Sequence, residues 1–369
     1  MGRSARQWDE SDVRVRPNRR GSRPRTKERP KHEDAIIGRV TAVDRGRWTT
    51  LVPGAPERVV TAMRARELGR TPIVVGDRVG MVGDTSGRRD TLARIVRVEE
   101  RQTVLRRTAD DTDPVERVIV ANADQLVVVA ALADPEPRPR LIDRCLVAAY
   151  DAGMDPLLVL TKADLASADD FLAQYAPLDV PHVVTSMQDG AEPTDLLELR
   201  ERLTGRVSVL VGHSGVGKST LVNALVPAAH RATGHVNDVT GRGRHTSTSA
   251  LALRLPPLDP NLLGQLPDGD PDQSHEPQQL RADPDAAGWI IDTPGIRSFG
   301  LAHVEADTII RHFPELWAGA DARCPRGCSH DEDDCALDAW VREGHAGPGG
   351  EQRLDSLRRL LRARSGEDS

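Results

Sequence analysis

A phosphate-binding loop in the middle of the chain constrains the fold more than any other feature. An apolar run at 207–211 leads into a segment that matches G-x-x-x-x-G-K-[ST], and a helical pattern at 221–225 follows. Strand, glycine-rich loop and helix in this order predict an α/β domain whose backbone N–H groups and helix N-terminus face phosphates. The residues predicted to bind nucleotide here are Gly212, His213, Ser214, Gly215, Val216, Gly217, Lys218, Ser219 and Thr220.

Lysine usage supports this interpretation of the loop. Of the 50 Lys and Arg residues only four are lysine, namely Lys27, Lys31, Lys162 and Lys218. Because a guanidinium is broader than an ammonium, we expect lysine to persist where only the compact cation fits. Lys218 is therefore predicted to contact the β- and γ-phosphates, and the Ser219 hydroxyl is predicted to ligate Mg²⁺.

A second phosphate-site motif, Asp292-Thr293-Pro294-Gly295, ends the apolar run at 288–291. Alone, Asp-x-Pro-Gly is also an ordinary turn, but downstream of a phosphate loop it predicts a Mg²⁺ site. Asp292 would hold the ion, and the Gly295 N–H would sense the γ-phosphate.

A base-reading motif lies upstream of the phosphate loop. Thr161-Lys162-Ala163-Asp164 follows an apolar run at 155–160 and resembles the guanine-specifying Asn-Lys-x-Asp element. In that element the Asp accepts hydrogen bonds from guanine N1–H and N2–H₂, which adenine does not present, and the Lys stem lies along the base. Thr161 replaces the usual Asn, which leaves one supporting hydrogen bond open and keeps a P-loop ATPase as an alternative.

The order of the motifs along the chain is unusual. A short strand at 182–184 ends in Thr185-Ser186, and Ser186 resembles the loop residue that meets guanine O6. Both base elements therefore precede the phosphate loop, whereas ordinary GTPases begin with it. Joining the old termini and opening new ones preserves a compact domain, so the order predicts a circularly permuted, mostly parallel, doubly wound sheet.

A glycine- and arginine-rich segment at 241–249 is predicted to be a switch, in which a hydroxyl or carbonyl joins Mg²⁺ in the GTP state. Ile296 follows the second phosphate motif, so no Gln stands there to orient water. His245 is therefore the candidate catalytic residue that positions the attacking water. The alternative is that His245 contacts only RNA or its own loop.

Three of the four cysteines cluster with a histidine, at Cys324, Cys328, His330 and Cys335. Three thiolates and one imidazole make a complete tetrahedral set for Zn²⁺, and in a reducing compartment disulfides are the poorer explanation. Because no ligand position stays open, the zinc is predicted to be structural. Cys145, in an apolar helical segment, is predicted to be part of the core.

The N-terminal tail is strongly basic. Residues 1–32 carry eleven Lys/Arg and four Asp/Glu, a net charge of +7, and this leaves −13 on the rest of a chain whose total is −6. Such a tail is either a solvated arm or an arm that orders on RNA phosphates. A basic amphipathic helix at 354–362 leaves a similar choice, since it either packs on its domain or faces RNA.

Five β-type runs follow the tail, at 36–43, 49–52, 58–60, 73–79 and 93–98, and they predict a small barrel of the OB type. Its candidate phosphate contacts are Arg45, Arg47, Arg78, Arg88 and Arg89. The chain has no apolar run of about 18 residues, and its Arg-rich start lacks the apolar stretch of a secretory signal. We therefore expect a cytoplasmic protein without membrane contact.

These segments together resemble the ribosome small-subunit-dependent GTPase A family, the circularly permuted assembly GTPases of bacteria. Besides the motifs above, the resemblance is carried by residues 74–79, 121–125, 141–144, 243–246 and 292–300. It implies weak GTP hydrolysis that the small ribosomal subunit stimulates, a role in late maturation of that subunit, and a histidine at the His245 position that promotes hydrolysis there. The implied ligands are GTP or GDP with Mg²⁺, one structural Zn²⁺, and the small subunit with its rRNA, and we expect a monomer.

The resemblance also implies an order of domains. They are a disordered basic tail (1–34), an OB-fold RNA-binding domain (35–112), a circularly permuted GTPase domain (113–305) with a disordered insertion (256–285), and a zinc-binding helical domain (306–369). A different class of function stays open, namely an RNA-binding assembly factor for which nucleotide is an ordering ligand and turnover is incidental.

Overall fold

A computed structural model of the chain describes residues 32–108, 115–186, 194–227, 229, 250–257, 287–293, 300–301, 303–332 and 334–365. Almost all of the predicted tail (1–34) and of the predicted insertion (256–285) lies outside these residues. The predicted switch with His245 also lies outside them, as does Gly295. Each of these predictions therefore stays a prediction.

The first part of the fold is a closed barrel. Its strands are β1 (Ile36–Asp44), β2 (Arg47–Val52), β3 (Arg58–Arg64), β4 (Arg78–Gly83) and β5 (Ala93–Val98). Neighbouring strands follow the order β1-β2-β3-β5-β4, and β4 pairs again with β1, which closes the barrel. Val40, Val79 and Ile95 are fully buried in its interior, where they alternate with outward-facing residues. The closed barrel fits the predicted OB type.

The fourth strand begins later than its apolar pattern suggests. The buried carboxylate of Asp77 accepts hydrogen bonds from the Val74 N–H at 2.8 Å and from the Arg101 guanidinium at 2.7 and 2.9 Å. These bonds hold residues 73–77 in a turn, and β4 starts only at Arg78. The prediction of a strand from 73 to 79 is therefore wrong for its first five positions.

This turn joins the barrel to the next part of the chain, a hairpin of β6 (Val104–Arg107) and β7 (Arg117–Ala121). Gly76 has φ +90°, and a Cβ on it would lie 1.9 Å from the Ala121 carbonyl oxygen. The Asn122 side chain donates to the Gly76 carbonyl at 3.0 Å. Only glycine fits this close approach, so the segments 74–79 and 121–125 meet in space.

The second part of the fold is a sheet with helices on both faces. Its strands are β8 (Gln125–Ala131), β9 (Asp155–Thr161), β10 (His182–Val184), β11 (Val207–Gly212), β12 (Leu251–Arg254) and β13 (Trp289–Asp292). The helices between them are α1 (Pro139–Ala152), α2 (Asp169–Tyr175), α3 (Thr194–Leu203) and α4 (Lys218–Leu225). The strand order is β10-β9-β8-β11-β13-β12, with β12 antiparallel to β13 and the other pairs parallel.

The central strand β8 shows why this sheet is doubly wound. All seven of its residues are buried. Val128 and Ala130 belong to one apolar cluster, whereas Val127 and Val129 belong to the other. A strand that is buried on both faces needs helices on both faces, as parallel sheets require. The prediction of a mostly parallel, doubly wound sheet is confirmed.

Strand β12 connects the two parts of the fold. It pairs with β13 on one side and with β1 of the barrel on the other, where Leu251 faces Ala42. Arg254 forms two hydrogen bonds of 2.7 Å with the Glu57 carboxylate of the barrel. The guanidinium also lies 4.8 Å from the centre of the Trp289 ring. The barrel is thereby held against the strand that carries Asp292.

The C-terminal part consists of the helices α5 (Ala306–Ile310), α6 (Pro314–Arg323), α7 (Ala336–Arg342) and α8 (Gly350–Ser365). Helix α8 packs along α1, and its arginines contact the protein itself. Arg358 pairs with Asp338, Arg362 pairs with Asp331, and Arg353 donates to the Pro177 carbonyl. Of the two interpretations of the basic helix, packing on the domain is the one these contacts favour. Among the described helices, none is both long and apolar enough to span a membrane.

A buried carboxylate lies where α1 meets α8. Asp143 is 2 % exposed, and its Oδ2 atom lies 3.1 Å from Nε of Arg359 on α8. Burial raises the pKa of Asp143 to about 6, although the guanidinium opposes this shift. Desolvation of the carboxylate therefore outweighs the ion pair.

This pKa predicts a pH dependence of stability. Because the folded state binds the Asp143 proton more tightly than the unfolded state does, the free energy of unfolding falls as pH rises from about 4 to about 6. Over this pH range, we expect the free energy of unfolding of the wild type to fall by up to about 3 kcal/mol relative to that of Asp143→Asn. Urea unfolding at pH 4.5, 5.5 and 6.5 measures the difference, with Asp355→Asn on the exposed face of α8 as the control. Parallel pH profiles for wild type and Asp143→Asn would contradict the prediction.

Candidate functional site

The phosphate loop connects β11 to α4, as predicted. Gly212 ends the strand, and a Cβ on it would lie 2.5 Å from the Val129 carbonyl oxygen of the neighbouring strand. Gly215 and Gly217 both have φ +87°, a conformation that L side chains rarely adopt. Helix α4 begins directly afterwards at Lys218. Glycine is therefore required at these three positions by the backbone itself.

Lys218 connects the two phosphate motifs. The residue is 8 % exposed, and its ammonium donates to the Asp292 carboxylate and to the Thr293 carbonyl. The Thr293 hydroxyl donates in turn to the Leu210 carbonyl at 2.7 Å, which fixes the end of β13 against β11. The ammonium and the carboxylate that were predicted to serve the phosphates and Mg²⁺ are thus in direct contact, and the exposed Ser219 follows at the start of α4.

Thr161, at the end of β9, contacts the phosphate loop. Its hydroxyl lies 2.6 Å from the Val216 carbonyl oxygen and 3.3 Å from that of Ala130. A hydroxyl has one proton, and the shorter contact identifies Val216 as its acceptor. Thr161 is 1 % exposed, so this bond is enclosed. The base-reading motif and the phosphate loop are therefore held together by one side chain.

The remaining base-reading residues also come together. The Ser186 hydroxyl donates to the Asp164 carboxylate at 2.7 Å, and the Ala163 N–H donates to the Thr185 carbonyl at 3.3 Å. Lys162 has φ +59°, and its ammonium donates to the Asp134 carbonyl beyond the end of β8. The loops after β8, β9 and β10 thus form one continuous surface.

All these residues lie at one edge of the sheet. Because β9, β10, β11 and β13 run parallel, their carboxyl ends meet at the same edge, where α/β proteins bind ligands. Asp164 and Lys218 accordingly lie on the same side of the domain, joined through the contact between Thr161 and Val216. The predicted residues His245 and Gly295 lie outside the part of the chain that the structure describes.

The cysteine–histidine cluster forms a second candidate site. The ligand atoms of Cys324, Cys328, His330 and Cys335 all lie within 4.8 Å of one another. The Cys335 sulfur is 3.9 Å from that of Cys324 and 3.8 Å from that of Cys328. Tetrahedral Zn²⁺ with Zn–S bonds of about 2.3 Å places its sulfur ligands about 3.8 Å apart. The donor set and its spacing therefore fit a four-coordinate metal ion.

The environment of the thiols also favours a cation. Burial raises the pKa of Cys328 to about 11, with the neighbouring Cys335 adding to the shift, and burial lowers the pKa of His330. Crowded thiols resist becoming thiolates unless a positive charge compensates them, and a bound metal ion provides that charge. Helix α8 holds the cluster from outside, because the Arg358 side chain donates to the His330 carbonyl at 3.1 Å.

The predicted phosphate contacts of the barrel do not form one patch. Arg45 and Arg47 lie at the turn between β1 and β2, whereas Arg88 and Arg89 lie in the loop between β4 and β5. The strand pairing places these connections at opposite ends of the barrel. All four side chains are exposed. A single phosphate backbone would have to run along the barrel to reach both ends.

The sequence motifs did not indicate the Asp134 carbonyl as a partner of Lys162. The signal was available in part, because residue 134 follows the central strand β8 and precedes three residues that include two prolines. Loops after adjacent parallel strands lie side by side. The loop that follows β8 was therefore the expected place for a partner of Lys162.

Comparison with known proteins identifies the relatives of the chain. Residues 98–258 match the family model described as RsgA GTPase, and residues 207–324 match the model described as 50S ribosome-binding GTPase. A small ribosomal subunit biogenesis GTPase RsgA from Chlorobaculum parvum is 32 % identical over 322 residues, which cover 84 % of this chain and 93 % of that protein. The chain belongs to the RsgA GTPase family.

Other RsgA relatives match over a shorter length. The RsgA protein of Pseudomonas aeruginosa is 38 % identical over 250 residues, which cover 66 % of this chain and 63 % of that protein. The chain thus spans somewhat less than two thirds of the length of this relative. Among solved structures, YjeQ from Thermotoga maritima has a TM-score of 0.57 with 24 % identity, covering 90 % of this chain and 99 % of that one. YloQ, described as a circularly permuted GTPase, also has a TM-score of 0.57, with 19 % identity, covering 93 % and 99 %. These likenesses confirm the permuted fold of the RsgA-type chain.

Proposed function

We propose that the chain binds GTP at the carboxyl edge of its central sheet and hydrolyses it to GDP and phosphate. The observation that carries this proposal is the contact of Thr161 with Val216, which joins the base-reading motif to the phosphate loop. The exposed Asp164 carboxylate, which accepts a hydrogen bond from Ser186, would accept the guanine N1–H and N2–H₂ groups. This favours guanine over adenine, and therefore a GTPase over an ATPase.

The phosphate end of the proposed site follows from the pairing of Lys218. When phosphate oxygens reach the loop, the Lys218 ammonium exchanges the Asp292 carboxylate for them and keeps the Thr293 carbonyl, since an ammonium has three donors. Asp292 and Ser219 would then hold Mg²⁺, which would supply positive charge to the phosphates. The loop N–H groups and Lys218 stabilise the charge on the γ-phosphoryl group as water attacks in line.

We further propose that hydrolysis serves late maturation of the small ribosomal subunit in the cytoplasm, with subunit rRNA as partner and stimulator. The names of the curated relatives support this assignment, since they are small ribosomal subunit biogenesis GTPases. The chain would act as a monomer. GTP would favour the state bound to the small subunit, and GDP would favour dissociation from the subunit. One structural Zn²⁺ would complete its C-terminal part, held by Cys324, Cys328, His330 and Cys335.

The proposed role of His245 gives a direct test. We expect His245→Ala to lower subunit-stimulated phosphate release by about 100-fold or more, because positioned acid–base groups contribute that much. GTP affinity should stay within about twofold, since the phosphate loop and Asp164 are unchanged. Phosphate release with and without purified small subunits, together with titration of a fluorescent nucleotide, measures both quantities.

The matched control is His182→Ala, at the exposed start of β10 on the opposite edge of the sheet. It should leave stimulation unchanged. If His245→Ala keeps full stimulation, the histidine is not the group that positions water. If the wild type itself shows no stimulation while it binds nucleotide and small subunits, the passive assembly factor is the better description.

A further inference from the structure

The base-reading element of this chain has one hydrogen-bond donor fewer than the Asn-Lys-x-Asp element that it resembles. An Asn carboxamide carries two N–H donors, so it can hold a loop carbonyl and still offer the second donor to a base. Thr161 stands at that position and has a single hydroxyl proton. The 2.6 Å contact assigns this proton to the Val216 carbonyl.

Two neighbouring side chains also donate to protein acceptors. The only hydroxyl proton of Ser186 points to the Asp164 carboxylate at 2.7 Å. The Lys162 ammonium is drawn to the Asp134 carbonyl at the end of the adjacent loop, which leaves its aliphatic stem to lie along a base. Guanine presents two acceptors on its outer edge, O6 and N7. The hydroxyl protons of Thr161 and Ser186 are therefore both directed to protein acceptors, and neither is left for N7.

We propose that this chain recognises guanine without a hydrogen bond to N7, and that Thr161 acts only as a positioning residue that ties the base-reading loop to the phosphate loop. This inference rests on the proposed GTP site. Specificity then comes from the Watson–Crick edge, to which Asp164 binds. Replacement of N7 by a carbon does not change the affinity. Substrates modified at that atom, such as 7-deazaguanine nucleotides, belong to the ligand class of this site.

The test compares GDP, 7-deaza-GDP and ADP by competition against a fluorescent GDP analogue on the full-length wild-type protein. We expect 7-deaza-GDP to bind within about twofold of GDP and ADP to bind at least about 100-fold more weakly. Thr161→Asn should gain the second donor and discriminate against 7-deaza-GDP by about fivefold, the value of one neutral hydrogen bond. The wild-type comparison needs no substitution, so it decides the inference even if the variant does not fold.

The positioning role has its own readout. Thr161→Val removes the bond to Val216 and should weaken GDP and 7-deaza-GDP by the same factor of about ten, whereas Thr161→Ser restores both. Tight GDP binding with a loss of fivefold or more for 7-deaza-GDP in the wild type overturns the inference and leaves the proposed function intact. Equal binding of ADP and GDP, or binding of neither, overturns both.

Discussion

Replacing Lys218 by alanine will abolish GTP turnover, with the rate of phosphate release falling by about 1,000-fold and GTP affinity by at least about 100-fold. The ammonium lies at the start of α4 and compensates the Asp292 carboxylate. Its loss removes the cation that would stabilise the phosphate charge in the proposed site, and without nucleotide it leaves the Asp292 carboxylate without this ion-pair partner. Nucleotide titration and single-turnover hydrolysis measure the two effects.

Lys218→Arg is the sharper version of this experiment. The chain uses arginine for 46 of its 50 basic residues, since four are lysine, yet it keeps lysine here. Lys218 is 8 % exposed and its ammonium contacts both Asp292 and Thr293, so a broad planar guanidinium will not fit without moving the loop. We expect turnover in Lys218→Arg to fall nearly as far as in Lys218→Ala.

The matched control is Arg206→Ala. Arg206 directly precedes β11, at the end of this strand opposite to the phosphate loop. Its side chain pairs with Asp155 at 2.6 Å. The Arg206→Ala substitution should change nucleotide affinity by no more than about twofold from wild type, because a surface ion pair contributes little to stability. Full turnover by Lys218→Arg would show that a compact ammonium is not required at this position. The prediction that only lysine fits beside the phosphates would then be wrong.

We expect replacement of Cys328 by serine to weaken binding of the proposed Zn²⁺ and to destabilise the C-terminal helices. A tetrahedral site with one weak ligand binds Zn²⁺ poorly, and loss of a structural metal belongs to the most damaging changes a small domain can undergo. The effect will spread, since Arg358 ties the cluster to α8 and α8 packs along α1. We expect the melting temperature to fall by about 10 °C or more.

Zinc content per chain and thermal unfolding check this prediction. Cys145→Ala serves as the control, because Cys145 is a buried core residue 1 % exposed, and its thiol is not part of the cluster. That variant should keep one zinc per chain while losing some stability from the cavity it creates. A Cys328→Ser protein that retains one zinc per chain would show that the four residues are not the ligand set.

Local motifs were predictable because their chemistry is local. A phosphate is held by consecutive backbone N–H groups, so the spacing of glycines at 212, 215 and 217 already specifies the loop. The cysteine–histidine cluster is likewise encoded within twelve residues, 324–335. The structure brings each of these sets together as expected.

Periodicity was less reliable where a buried polar group decides the backbone. The apolar run at 73–79 has the composition of a strand, but Asp77 turns its first five residues into a tight turn. Arg101, which completes that turn, lies 24 positions away in the sequence. A pattern that spans only neighbours cannot register such a partner.

The sequence by itself determined the phosphate loop, the cysteine–histidine cluster and the rotated order of the nucleotide motifs, because each depends on residues close together in the chain or on their order. Only the tertiary structure decided what Thr161 does, since its acceptor on Val216 is 55 positions away. It also decided that the arginines of α8 bind the protein itself, through contacts as remote as the one between Arg353 and Pro177. Such contacts form when parallel strands and packed helices bring distant segments to one edge, and no local pattern encodes that proximity.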